Sequence, residues 1–198
     1  MHPRCTRLAR AALGLILAAC GPALAAAAPY RIDPDHSAIT FEASHLGFSA
    51  FHGRFRSFAA QIDFDPQDIE ATRVRVVVDA ASLYTGSEER DRNTMDFPEM
   101  LDVTAFPSIT FVSTSVVLTS AETAEMTGDL TLRDVTRPIT LRVRLNAHGI
   151  TPISGGKEVY GFSATGDVDR TAFGFDFAAP AVSAVIPVRI DLEISPVD

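Results

Sequence analysis

Strict two-residue alternation of apolar and polar side chains runs through most of this chain. Val188, Ile190, Leu192 and Ile194 alternate with Arg189, Asp191, Glu193 and Ser195, and Ile139, Leu141, Val143 and Leu145 alternate with Thr140, Arg142, Arg144 and Asn146. Successive side chains of a strand point to opposite faces, so the pattern describes strands with one dry and one wet face. The same parity sets Val74, Val76 and Val78 against Arg73, Arg75 and Asp79, and Met126, Leu130 and Leu132 against Thr127, Asp129, Thr131 and Arg133. Ile39, Phe41 and Ala43 share a face against Thr40 and Glu42, Ile109 and Phe111 lead a strand after Pro107, and Tyr160, Phe162 and Ala164 share another face. With the 55–64 region this makes about eight strands, separated by turn signals at 134–138 and 154–156. Many short amphipathic strands without long helical stretches between them imply an antiparallel sandwich or a closed barrel.

Between Ser82 and Ser108 the alternation stops. Ser87 followed by Glu88, Glu89 and Arg90 predicts a capped helix start, and Pro98 suits the first position of a second short helical turn. In a barrel, a helical excursion over about 86–106 would lie across one mouth, as a plug that completes the core or as a lid.

The amino terminus has the form of an address. Arg4, Arg7 and Arg10 precede the apolar run 11–19, too short to cross a bilayer permanently but suited to a secretory signal. Ala23-Leu24-Ala25 fits ordinary signal peptidase, giving a signal over 1–25 and a mature chain from about Ala26. Leu17-Ala18-Ala19-Cys20-Gly21 also fits a lipoprotein box, with Cys20 as the lipidated residue. Either way the expected compartment is the periplasm, with one domain over 29–198. Cys5 and Cys20 are the only thiols, so disulfides, Cys-bound metal and Cys nucleophiles are excluded beyond residue 20. Formal net charge is −8, and removing the three leader arginines leaves 14 basic against 25 acidic residues, which argues against nucleic-acid binding.

An ordered set of short motifs runs along these elements. Tyr30-Arg31-Ile32-Asp33 with His36-Ser37 opens it, followed by His45-x-Gly47, Gly53-x-Phe55-x-x-Phe58, Phe64-Asp65-Pro66 and Arg90-Asp91. Phe106-Pro107-x-Ile109-Thr110-Phe111 precedes the densest stretch, Gly128-Asp129-Leu130-Thr131-Leu132-x-x-Val135-Thr136-x-Pro138, and Gly161-Phe162-x-Ala164 and Arg170-x-x-Phe173-Gly174 complete the set. Over about residues 29–195 this resembles the YceI-like family, bacterial periplasmic proteins with a lipocalin-like barrel that bind polyisoprenoid-type lipids. The resemblance implies an all-β, eight-stranded antiparallel lipocalin-like barrel, hollow and lipid-lined. It implies a carrier or store for an isoprenoid-chain lipid, such as a polyprenyl phosphate or an isoprenoid quinone, rather than an enzyme. The alternative is an enzyme or redox accessory acting on such a lipid beside a membrane cytochrome or other inner-membrane partner. A homodimer is the assembly to test against a monomer. The chain departs from the family at one point: where relatives often carry a His two residues after the Arg-Asp pair, Asp91 is followed by Arg92, Asn93, Thr94 and Met95.

The residues themselves indicate binding before chemistry. His36, His45 and His52 are nine and seven residues apart, odd spacings that alternate faces along a strand, and no HxH or HExxH occurs, so no metal site is expected. No G-x-S-x-G elbow, G-x-G-x-x-G or P-loop occurs, so no catalytic residue and no cofactor is expected. An eight-stranded interior is either filled by side chains or holds one ligand. Phe41, Val76, Phe111, Leu130, Leu141 and Phe162 should line it. The polar end has several candidates. Phe58, Ala60, Ile62 and Phe64 share an inward parity that, carried back without interruption, puts Arg54 and Arg56 inside near one mouth, where a phosphate, a quinone carbonyl or an acidic side chain would partner them. A β-bulge near Ser57 would instead turn Phe55 in and both arginines out. His45 and His52 lie near the same bends, and Arg90 and Asp91 begin the excursion, where pairing with each other is an equally good use.

Overall fold

The computed structural model describes residues 28–197. The leader, both cysteines and the two cleavage positions lie outside the described residues, as does Asp198. The strands are β1 (Ala28–Ile32), β2 (Ala38–His45), β3 (Ser49–Phe55), β4 (Phe58–Phe64), β5 (Arg73–Asp79), β6 (Leu83–Tyr84), β7 (Ser108–Leu118), β8 (Thr123–Leu132), β9 (Val135–Ile150), β10 (Glu158–Asp169) and β11 (Val185–Pro196). Among the described residues one α-helix, α1 (Glu88–Asp96), stands between β6 and β7.

The sheet closes. Its order runs β1-β4-β5-β7-β8-β9-β10-β11, and β1 pairs again with β11, closing a ring of eight antiparallel positions. The first three positions are each split in two. Going back along β11, Ile194 faces Ile32 of β1 and Ile190 faces Ile39 of β2, so β1 and β2 form one interrupted strand. In the same way β3 continues β4, and β6 continues β5. The architecture is thus the closed barrel rather than the sandwich, with the strands that alternation predicts.

The ends differ. One mouth collects the β2–β3 turn, the excursion with α1, the β8–β9 turn and the 170–184 segment. The far mouth collects the 65–72, 119–122 and 151–157 connections. Ser87 caps α1 as the sequence predicts, its hydroxyl accepting from Arg90 N–H at 3.4 Å. Pro98 does not start a second helical turn. Its ring disfavours helical backbone at Phe97, which is extended and ends α1. The chain then makes hydrogen-bonded turns, Leu101 N–H donating to Thr94 O, before Asp102 adopts a left-handed conformation. This swings Leu101 into the buried cluster with Leu83, Phe111, Leu130, Leu132, Leu141 and Phe173, against which Met95 and Val103 also pack. The excursion therefore plugs part of its mouth.

Two glycines keep the barrel hollow. Phe41 lies opposite Gly53 in the β2–β3 register, and its ring covers the space a Cβ would need there. The Phe111 ring lies over Gly128 in the same manner. Both rings rest along the wall instead of crossing the axis. At Gly53 the crowding atoms all belong to the Phe41 ring, so Gly53→Ala is expected to swing that ring off the wall. It should cost about 1–3 kcal/mol through overpacking and reduce the interior available to an apolar dye; denaturant titration and dye binding read the two effects separately.

Candidate functional site

Alternating strands that turn Val, Ile, Leu and Phe inward would fill a solid barrel, yet most of those side chains here are only half-buried. They border a cavity of about 890 Å³ that runs from the α1 mouth to the far mouth. That volume is at the upper end of the about 300–1,000 Å³ common for small-molecule sites. Phe41, Val76, Phe111, Leu130, Leu141 and Phe162 all face it.

At the α1 mouth the sequence candidates separate. Arg90 lines the cavity, donating from Nε to Thr85 Oγ1 at 2.7 Å and from Nη2 to Thr85 O at 2.9 Å, with Cζ 4.2 Å from the centre of the Phe51 ring. His45 lines the same mouth, following the inward parity of Ile39, Phe41 and Ala43. Asp91 is buried and does not pair with Arg90. Its Oδ1 accepts from Thr85 N–H at 2.9 Å and from Thr85 Oγ1 at 2.5 Å, so both residues of the motif converge on Thr85 and fix the start of α1.

Arg54 and Arg56 are not in the interior, which corrects the uninterrupted parity. The strand breaks at Arg56 and Ser57, where Arg56 N–H donates to Ser82 O and Ser57 N–H to Ser82 Oγ, both at 3.1 Å, and Ser57 O accepts from Asp79 N–H. This break turns Phe55 and Phe58 inward and leaves both arginines exposed outside, with Cζ 5.6 and 3.7 Å from the Tyr84 ring centre. His52 is also on the outer face, 3.8 Å from Glu42, because it faces Glu42 in the register. His36 is held apart from both other histidines, 2.9 Å from Asp33 on the surface.

The far mouth carries a group that periodicity conceals. Along β9, Leu141, Val143 and Leu145 face in, so strict alternation sends His148 out. The β9–β10 register shifts at Asn146, pairing Phe162 with Leu145 but Gly161 with Ala147, and this bulge turns His148 to the rim of the cavity, its side chain still 54% exposed. His148 Nδ1 lies 2.7 Å from Glu158 Oε1, and Tyr160 Oη donates to Glu158 Oε2 at 2.9 Å. The His148 ring stacks on Tyr160, and Tyr160 on Phe162, at 9° and 10°; Tyr30 and Phe64 meet Tyr160 edge-on. The hydrogen bonds from His148 and Tyr160 lower the Glu158 carboxyl below its ordinary range. Burial, reinforced by the Glu158 bond, pushes the Tyr160 phenol up to about 12. Burial likewise raises Tyr30.

A raised phenol favours the neutral form in the fold, so its stabilisation is present below the unfolded value of 10.0 and is lost as pH climbs from there towards about 12. Absorbance titration of tyrosinate should show an ionisation delayed to about pH 12 that Tyr160→Phe removes. A Tyr160→Phe protein that keeps this late step would contradict the assignment.

The comparisons with known proteins agree with this geometry. A family model described as YceI-like domain matches residues 30–194. A UPF0312 protein of Pseudomonas savastanoi pv. phaseolicola is 37% identical over 190 residues, covering 95% of this chain and 94% of the relative. A crystal structure of the Campylobacter jejuni YceI protein superposes with a TM-score of 0.69 at 28% identity, over 78% of this chain and 90% of the other. The structure of a polyisoprenoid-binding domain from Saccharophagus degradans, implicated in plant cell wall breakdown, shares the fold with a TM-score of 0.61 at 17% identity, over 85% and 98% of the two chains.

Proposed function

The chain belongs to the YceI-like family, and from that premise we propose that it is a periplasmic carrier that holds the chain of an isoprenoid lipid inside its barrel. The single observation behind this reading is the cavity of about 890 Å³, apolar along its length and polar only towards its ends. Burial contributes about 0.8 kcal/mol per CH₂ group, so a few isoprene units offset the cost of ordering a flexible chain without any covalent step. The name of the Saccharophagus degradans domain points to the same ligand class.

An anionic head, as in a polyprenyl phosphate, belongs at the α1 mouth beside Arg90 and His45. Among the described residues Nη1 of Arg90 has no hydrogen-bond partner, and a guanidinium suits bidentate contact with phosphate. The carrier role and the enzyme role separate in one experiment. Protein loaded with a defined polyprenyl phosphate or isoprenoid quinone is incubated and extracted, and the carrier returns the lipid unchanged with one equivalent per chain. Steady conversion of the lipid would overturn the carrier reading.

A further inference from the structure

We propose that the β2–β3 turn and the 177–184 stretch form one uncharged lobe of the α1 mouth, by which the protein docks on a lipid bilayer. The proposal rests on the lipid reading above and adds to it the surface at which the lipid is exchanged.

Two connections far apart in sequence make this lobe. Leu46 N–H donates to Ala181 O at 2.6 Å, Ser44 N–H to Ser183 Oγ and Ser183 N–H to Ser44 O, each at 3.0 Å, and His45 pairs with Val182. In a chain that is 21% charged, neither 43–53 nor 177–188 contains an Asp, Glu, Lys or Arg. The turn holds Phe48 90% and Leu46 56% exposed, and Phe177 is exposed on the other connection. Phe48 and Leu46 neither line the cavity nor pack into either buried cluster. Leu46 also takes a left-handed conformation, with φ 54°, that suits Gly or Asn better than a bulky side chain. Exposed apolar groups at such positions gain nothing within the fold, but they gain where hydrocarbon covers them.

The cavity identifies that cover as a bilayer. Phe177, Ala178 and Val182 line both the cavity and a cleft that separates them from Asn93 and Phe97 on the α1 side. An apolar chain leaving by this mouth passes along the lobe, so with the lobe among acyl chains it moves from protein to bilayer without crossing water. Docking also sets Arg90 and His45, which line the mouth, near the phosphate groups of the bilayer surface. Glu42 and Asp176 bound the uncharged stretches, and Glu88 and Glu89 begin α1. These four stay in water, so insertion is shallow and owes little to charge. The far mouth exposes Ile150 and Ile153 as well, but its connections carry Glu70, Glu122 and Lys157, and Arg73 and Glu158 begin the strands there. Desolvating those groups opposes insertion at that end.

The test is flotation with phosphatidylcholine vesicles, comparing wild type, Phe48→Ser and Ile153→Ser with the same amino terminus. Both substituted side chains are exposed, so the fold and the uptake of an apolar dye into the cavity should not change. Phe48→Ser is expected to weaken vesicle binding at least about tenfold, the worth of burying one Phe, while Ile153→Ser stays within about twofold and high salt leaves wild type bound. The chain has no Trp, so Phe48→Trp and Ile153→Trp each add a single reporter. Brominated phosphatidylcholine should quench the first and spare the second. Equal losses in both Ser variants, a loss confined to Ile153→Ser, release by salt, or an unquenched Phe48→Trp protein would overturn the docking surface. So would self-association that Phe48→Ser abolishes in a wild type that does not float, since a second copy would then cover the lobe. A wild type that floats but takes up neither dye nor isoprenoid lipid would instead overturn the carrier reading.

Discussion

Ala164→Trp should empty the barrel of lipid without unfolding it. Ala164 faces the cavity from β10, half-buried beside Phe162, and packs against the main buried cluster. An indole there projects across an interior that eight strands make only wide enough for one ligand. It adds apolar contact instead of removing it, so the fold keeps its core. The chain contains no Trp, so the variant also carries its own reporter, and blue-shifted emission would place the indole inside. Phe111→Arg should abolish lipid retention by a different route. Phe111 is 8% exposed and covers Gly128, so losing the ring costs about 3–5 kcal/mol and a guanidinium in the apolar lumen adds to that. Bound lipid is expected to fall at least tenfold in both variants, with the denaturant midpoint dropping only for Phe111→Arg. A folded Ala164→Trp protein that still carries one equivalent of lipid would show that the ligand lies elsewhere.

The second large effect is expected at Arg170, whose side chain is 4% exposed and spends its donors on backbone carbonyls. Nε donates to Ser183 O at 2.9 Å, Nη1 to Phe175 O at 2.7 Å and Phe177 O at 3.0 Å, and Nη2 to Val182 O at 2.8 Å. The guanidinium is the hub of the 170–184 segment, which brings Phe175, Phe177, Ala178 and Val182 to the wall of the α1 mouth. Arg170→Met leaves those carbonyls without their donor and is expected to cost about 3–5 kcal/mol, since each bond to a charged group is worth about 1.5–3 kcal/mol and the set is not additive. Arg170→Lys should rescue little, because one ammonium cannot span a fork-shaped set of acceptors. Limited proteolysis should cut first within 175–182, and lipid should leave faster. A variant with wild-type stability and an uncut segment would contradict this role.

The barrel itself was legible because it depends on parity, which a strand preserves until its register breaks. Phe41, Val76, Phe111, Leu130, Leu141 and Phe162 lie in uninterrupted stretches, and the cavity has all of them on its wall. The uninterrupted parity behind β4 fails at a break, where the alternative of a bulge near Ser57 holds. Ser82 inserts its hydroxyl opposite Ser57 and sends Arg54 and Arg56 outside, a contact 25 residues away in sequence. The bulge at Asn146 sets His148 on the rim of the far mouth, and nothing in the alternation of β9 marks it. Tyr160 followed from the β10 parity, but its partnership with Glu158 and His148 did not. Arg170 belongs to a recognisable motif, yet its work is on carbonyls of a loop whose path sequence periodicity does not describe. Hollowness was the least legible feature, since Phe41 and Phe111 would fill the lumen had Gly53 and Gly128 carried side chains.

Native mass spectrometry of the protein isolated from its own periplasm, followed by extraction of whatever it carries, tests the central claim most directly. The account predicts one lipid per chain, released on denaturation, with an isoprenoid repeat in its fragmentation. Protein that arrives at its bare polypeptide mass, and that takes up no isoprenoid lipid when offered one, would contradict it.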